Sequence, residues 1–268
     1  MKKIVSLIIV LFASTLYAGF PSSYTGLTGL WRFTDSSNSV IDVTGQNSNG
    51  TIHGSPIFAN GGIDFGGQGV GNTCYITVPH NPIQSSHSVT FIIRKRLTRD
   101  MVYQQSTQIE KAWNSDGSGN VFGYIFGLTY TPDYSPHPLQ RTLNWCITNT
   151  HDLITNDFLF PADSQFHTLI CSFDYASGIA RMWLDTNHFC SQTLGSIDIT
   201  GATGDLIFGS QLFYGGQDWG DYDETLEIAL LNYAVTTDGE VATINGFYGG
   251  ASVHFAIQNV KLQNVKIQ

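Results

Sequence analysis

The segment QFHTLICSFDYASGIARMWLD (Gln165–Asp185) decides how the chain is read. It holds two short apolar-rich runs, His167–Asp174 and Ile179–Asp185, with Tyr175, Ala176, Ser177 and Gly178 between them. Each run is too short for a typical helix, and a gap of small and turn-forming residues separates them, so both read as strands. The pattern recurs at Thr28–Thr34, Thr73–Val78, Ser88–Arg94, Gly123–Thr129, Thr142–Thr148 and Leu226–Val235, always broken by Gly, Asn, Asp or Pro. Many short strands with turn signals predict an all-β fold, a two-sheet antiparallel jelly-roll sandwich. The 28 glycines and 17 phenylalanines agree with it. Turns need positive φ, and pleated faces favour aromatics. One helix is predicted, over Asp238–Ile244 with Asp238 as its N-cap.

The ends of the chain read differently from its middle. Lys2 and Lys3 precede an apolar run from Ile4 to Leu16, and small residues follow around Ala18. That is the layout of a secretory signal peptide, and the run falls short of the ~20 residues a membrane helix needs. The expected organisation is a signal peptide over 1–18, one sandwich domain over 19–249, and a C-terminal extension over 250–268 that forms a further strand. The extension, with its repeated QNVK, is either an edge strand of its own sheet or a strand added to another copy, a route to self-association. A secreted or cell-surface location follows, with no membrane span after cleavage.

The formal charge is −9, and removal of Lys2 and Lys3 makes it more negative. Arg94, Lys95, Arg96 and Arg99 form the one basic cluster. Nucleic acid, which needs a basic face, is therefore not an expected partner. Four cysteines, Cys74, Cys146, Cys171 and Cys190, allow two disulfides in an exported chain, or buried free thiols on strands.

Seven pieces in order carry a family resemblance: GLTGLWRFTD, the Asp42–Gly50 loop, GGIDFGGQGVGNTCYITVP, SVTFIIRKRL, QIEKAWNSDGSGNVFGYIFGL, the Gln165–Asp185 segment, and LEIALLNYAVTTDGEVATI. Over roughly Leu27 to Phe247 the chain resembles the laminin-G-like, concanavalin-A-like lectin/glucanase superfamily. The Asp42 loop is similar to its D-x-x-G-x-N-x-x-G pattern through Asp42, Gly45, Asn47 and Gly50. The resemblance implies ligands on a concave face or in rim loops. It also implies calcium near the Asp42 loop, held by Asp42, Asn47 and an acidic pair that aligns with Leu226 and Glu227. The Asp of that pair is missing, so Asp223 and Glu227 are the carboxylates expected to reach the loop. The alternative reading of the same residues is an Asx turn in which Asp42 accepts backbone N–H groups. Asn49-Gly50-Thr51 is also a glycosylation sequon.

No catalytic residue is assigned. Asp221, Asp223 and Glu227 share strand parity, and Asp221 with Asp223 would stand near the ~6.5–9.5 Å of an inverting glycosidase pair. The Glu-x-Asp-x-x-Glu pattern of the family's glucanases is nevertheless absent. Sugar binding is expected instead, on exposed aromatics: Trp219 first, with Tyr214, Tyr134, Trp113, Trp145 and Tyr130. Trp31, Phe33, Phe65, Phe91 and Trp183 are assigned to the core by alternation. The expected function is a secreted, non-catalytic carbohydrate- or glycoprotein-binding or adhesion module. The alternatives are a structural or assembly protein of a cell surface or virion, and a degenerate glycosidase.

Overall fold

A computed structural model describes residues 19–34, 39–59, 61–66, 74–97, 105–115, 121–130, 141–147, 152–154, 160–161, 163–209 and 224–249. The chain runs through β1 (Leu27–Arg32), β2 (Ser39–Val40), β3 (Gly50–His53), β4 (Ile57–Ala59), β5 (Gly62–Asp64) and β6 (Tyr75–Val78). A 3-10 turn, Pro82–Gln84, leads to β7 (Val89–Arg96), β8 (Gln105–Ser115), β9 (Val121–Tyr130), β10 (Arg141–Ile147) and β11 (Asp152–Ile154). Then follow β12 (His167–Asp174), β13 (Ile179–Leu184), β14 (Asn187–Thr193), β15 (Leu206–Phe208), β16 (Glu224–Leu231) and helix α1 (Asp238–Gly246). They form two eight-stranded sheets, and all described pairings are antiparallel. One sheet orders as β14-β13-β12-β7-β16-β5-β4, with β1 also on β16; the other as β11-β10-β9-β8-β15-β6-β3-β2. The expected all-β sandwich is what the chain forms.

The opening segment is the β12–β13 hairpin, paired from Leu169 with Leu184 to Asp174 with Ile179. Its alternate residues serve two cores. Leu169, Cys171, Phe173, Ala180 and Met182 face the other sheet, joined by Trp31, Phe33 and Phe65 of their own sheet and by Ile76, Val78 and Phe208 of the opposite one. Ile170 and Trp183 face outward, into a second core with Ile92, Ala229, Leu231, Phe20, Val241 and Ile244. Helix α1 and residues 19–24 cover that outer face. A sheet buried on both sides needs unbroken apolar runs, which is why FII (Phe91–Ile93) and IALL (Ile228–Leu231) do not alternate.

Helix α1 forms where predicted, but its cap differs. Thr237 is the N-cap, and its side chain accepts from the Glu240 N–H. Asp238 instead accepts from Trp183 Nε1 at 3.0 Å, tying the helix to the outer core. Buried indole N–H groups need an acceptor, and that need recruits the carboxylate away from capping. No helix among the described residues is long and apolar enough to cross a membrane.

The two-disulfide reading does not survive for Cys171 and Cys190, which carry free thiols. Cys171 stands opposite Met182, and Met182 opposite Cys190. Two strand spacings, roughly 9–10 Å, therefore separate the two cysteines, beyond the ~7 Å limit for a bridge. Burial, and then the neighbouring Cys190, push the Cys171 thiol well above its usual range.

Candidate functional site

The Asp42 loop lies along β1, on the side away from β16. Val43 N donates to the Leu30 carbonyl, and the Gln46 and Asn47 side-chain amides donate to the carbonyls of Leu27 and Thr28. Asp42 is buried, and its carboxylate accepts from Leu30 N (2.9 Å), Thr44 N (3.1 Å), Thr44 Oγ1 (2.7 Å), Asn47 N (2.8 Å) and Asn47 Nδ2 (3.2 Å). Gly45 takes φ +69°, a conformation that side chains resist, and a Cβ at Gly50 would meet Ile76 at 2.6 Å. The loop is an Asx turn closed around its own carboxylate. Asn49 of the sequon is exposed at its edge.

This geometry does not fit a calcium cage. A hard cation needs six to eight oxygens. Here the carboxylate lone pairs are engaged by five donors, and Asn47 turns its NH2, not its oxygen, toward Asp42. The Asn47 oxygen accepts from Gln84 Nε2 at 3.1 Å. Glu227 is not part of the loop. It is fully buried beneath Phe20, accepts from Phe20 N at 2.8 Å, and pairs with Arg32 Nε at 3.1 Å. A register shift falls between Thr225 and Glu227 in the pairing of β16 with β7. Asp221 and Asp223 lie outside the described residues. Among the described residues, no three His, Cys, Asp or Glu side chains converge as a metal site. Chelator is therefore expected to leave the melting midpoint unchanged; a rise of several degrees on adding calcium would overturn this.

From Asn47 the polar chain runs inward. Gln84, at the end of the 3-10 turn, accepts from Lys111 Nζ at 2.6 Å, and Lys111 also meets His80 Nδ1 at 3.0 Å. His80 N donates to Asp205 Oδ1. Lys111 is fully buried, and burial lowers its pKa to about 8, against a smaller opposing pull from Asp205. Burial first, and then the Lys111 charge, hold His80 below its usual range. A strand lysine reads from sequence as a solvated residue. Only the register opposite Leu206, a core residue, turns it inward.

The 3-10 turn clamped by this chain forms one wall of a depression of about 750 Å³ at the rim of the sandwich. Its lining comes from Pro82 and Ser85–Ser88, from Asp174 at the β12–β13 turn, from Thr200, and from the Asn232–Thr236 segment after β16. Each wall is held from beneath. Ser85 Oγ donates to the Ala202 carbonyl, Ser88 Oγ accepts from Tyr175 N, and Thr90 Oγ1 donates to the Tyr233 carbonyl. Tyr233 is wedged over Gly26, where a Cβ would stand 2.5 Å from the ring, and its hydroxyl donates to Glu240. Burial and that carboxylate raise the Tyr233 pKa far above its usual range. His87 tilts against Tyr175 with ring centroids 4.7 Å apart and meets Asp198 at 3.3 Å. The lining thus offers hydroxyls, an amide, a carboxylate and ring surfaces in one concavity.

None of the described residues that line the depression is an aromatic expected to carry sugar. Trp219, Tyr214 and Tyr134 lie outside the described residues. Trp113 falls in a register shift of β8 between Lys111 and Asn114, and Trp145 stands opposite Phe126 and Leu153. Trp31 and Trp183 are buried, as expected. The residues that do line the depression are mostly serine, threonine and asparagine in turns, which carry no sequence signal beyond the turn itself.

No protein-family model matches the chain, and no curated protein does. Solved structures do. Domain 4 of AbnA, a GH43 extracellular arabinanase from Geobacillus stearothermophilus, solved with arabinotriose, aligns over 82% of this chain and 98% of that one (TM-score 0.56, 17% identity). Trypanosoma rangeli sialidase with sialic acid aligns over 83% of this chain and 33% of that one (0.57, 13%). The binding domain of botulinum neurotoxin DC with SialylT aligns over 83% and 51% (0.54, 9%). The chain thus spans about a third of the sialidase and half of the toxin domain. At these identities the likeness is one of fold: this chain is a β-sandwich of the architecture those proteins share.

Proposed function

We propose that the chain is a secreted, non-catalytic recognition module of laminin-G/concanavalin-A-like type, and that the rim depression is where it binds carbohydrate. The observation that carries this is the lining itself. Hydroxyl, amide and carboxylate groups from four separate segments converge on a concavity of about 750 Å³, the size range of small-ligand sites. Sugars need partners for many hydroxyls and ring surfaces for their C–H faces. Three structural neighbours described with arabinotriose, sialic acid and SialylT support the reading. A non-catalytic role fits the commitment of Glu227 to its buried ion pair with Arg32.

Calorimetric titration of a glycan found by array screening tests it. Asn232 is exposed, so Asn232→Ala is expected to weaken binding by about tenfold, the equivalent of one good hydrogen bond, with an unchanged melting midpoint. Trp219→Ala is the contrasting variant. Binding lost on Trp219→Ala and kept on Asn232→Ala would move the site to the aromatic residues. Failure of every glycan to bind would favour the structural or assembly role, to be checked by the association state after removal of residues 250–268.

A further inference from the structure

We infer that the rim depression selects neutral over anionic sugars, an inference that rests on the carbohydrate-binding reading of that site. Its described lining holds one carboxylate, Asp174, and no lysine or arginine. A second carboxylate stands beside it: Asp198 accepts from Thr200 N and Thr200 Oγ1 and faces His87. Those bonds hold the Asp198 carboxyl below its usual range, so it stays charged at neutral pH. The imidazole that lines the depression is thus already engaged by an acid. Of the described arginines, Arg32 is engaged by Glu227, Arg94 by Thr168 and the Tyr248 ring, and Arg96 by Glu224, while Arg181 of β13 is not among the lining residues.

A sugar carboxylate entering this concavity would meet the Asp174 carboxylate, with Asp198 beside it, and no guanidinium or ammonium group among the described lining residues. Like charges brought together in a partly desolvated site cost binding, and carboxylate recognition ordinarily uses an arginine fork. Neutral hydroxyls suffer no such penalty. Asp174 accepts from Ala176 N and Ser177 Oγ, which leaves lone pairs for a sugar O–H. The exposed Thr200 and Thr236 hydroxyls of the lining add acceptors for a sugar O–H.

The test is binding of the full chain to matched pairs of glycans: lactose against sialyllactose, galactotriose against trigalacturonate, and the equivalent pairs on a glycan array. The neutral member of a binding pair is expected to bind at least tenfold more tightly. Asp174→Asn, which keeps one acceptor oxygen for the turn, is expected to narrow that gap, and Asp198→Asn to narrow it further. A pair in which the acidic member binds equally or better, through a site sensitive to Asn232→Ala, would overturn the selectivity while leaving the carbohydrate reading intact. Absence of binding to every glycan would overturn both.

Discussion

Asp42→Ala is expected to lower the unfolding free energy by about 3–5 kcal/mol. Bonds to an ionised acceptor contribute roughly 1.5–3 kcal/mol each, and a buried donor stripped of its acceptor costs roughly 1–3 kcal/mol. Asp42 accepts five, and one of them comes from the buried N–H of Leu30 on β1. Alanine leaves that N–H facing the protein interior, while Thr44 and the Asn47 amide can turn to water. The loss is therefore smaller than the sum of five bonds. It also loosens the contact between the sheets, because Asp42 follows β2 in one sheet and holds β1 of the other. Urea unfolding at neutral pH reads the effect. Asp42→Asn is expected to fall between wild type and alanine, since an amide keeps one acceptor oxygen and introduces two donors among five others. A loss below about 1 kcal/mol for Asp42→Ala would mean that the loop is held by its backbone alone.

The second large effect is one of pH. Lys111 has a pKa of about 8 in the folded chain against 10.5 for an ordinary lysine. Between those values the unfolded chain binds more protons than the folded one, so stability rises with pH. Below pH 8 both states are protonated, and the full penalty of a buried cation is present. As pH climbs through the interval, the folded lysine sheds its charge and the penalty fades. The Lys111 contribution is expected to be about 2 kcal/mol between about pH 7.5 and pH 9.5. Tyr233 acts in the opposite sense, since its raised pKa removes stability only once an ordinary tyrosine ionises, near pH 10. The raised thiols of Cys171 and Cys190 also oppose the gain, from about pH 9 upward, so the Lys111 contribution is read as the difference in slope between wild type and Lys111→Met. Lys111→Met replaces the buried ammonium with an unbranched apolar chain and is expected to flatten the slope. A slope that survives in Lys111→Met would assign it to another group.

The two effects meet at Gln84. Its side chain joins the Asp42 loop, through Asn47, to Lys111, and its backbone ends the 3-10 turn that walls the rim depression. The loop that resembles a metal site is thus a support for the candidate binding site. Its glycines and amides make a tight turn closed around the Asp42 carboxylate.

What the sequence determined by itself is local. Runs such as HTLICSFD and IARMWL, cut by turn residues, specify strands, because side-chain period and turn chemistry act over a few neighbours. They specify a sandwich, because many short strands must pair and bury their faces. The Asp42 loop was legible as either a turn or a metal site, since both need the same oxygens and glycines. The tertiary structure shows the turn, with the carboxylate filled by donors from residues 30, 44 and 47. It alone buried Lys111, because register and not residue type sets which way a strand side chain points. It alone built the rim depression, because Ser85, Asp174, Thr200 and Asn232 are brought together by pairings such as β7 with β12 and β16 with β7, which no local pattern encodes.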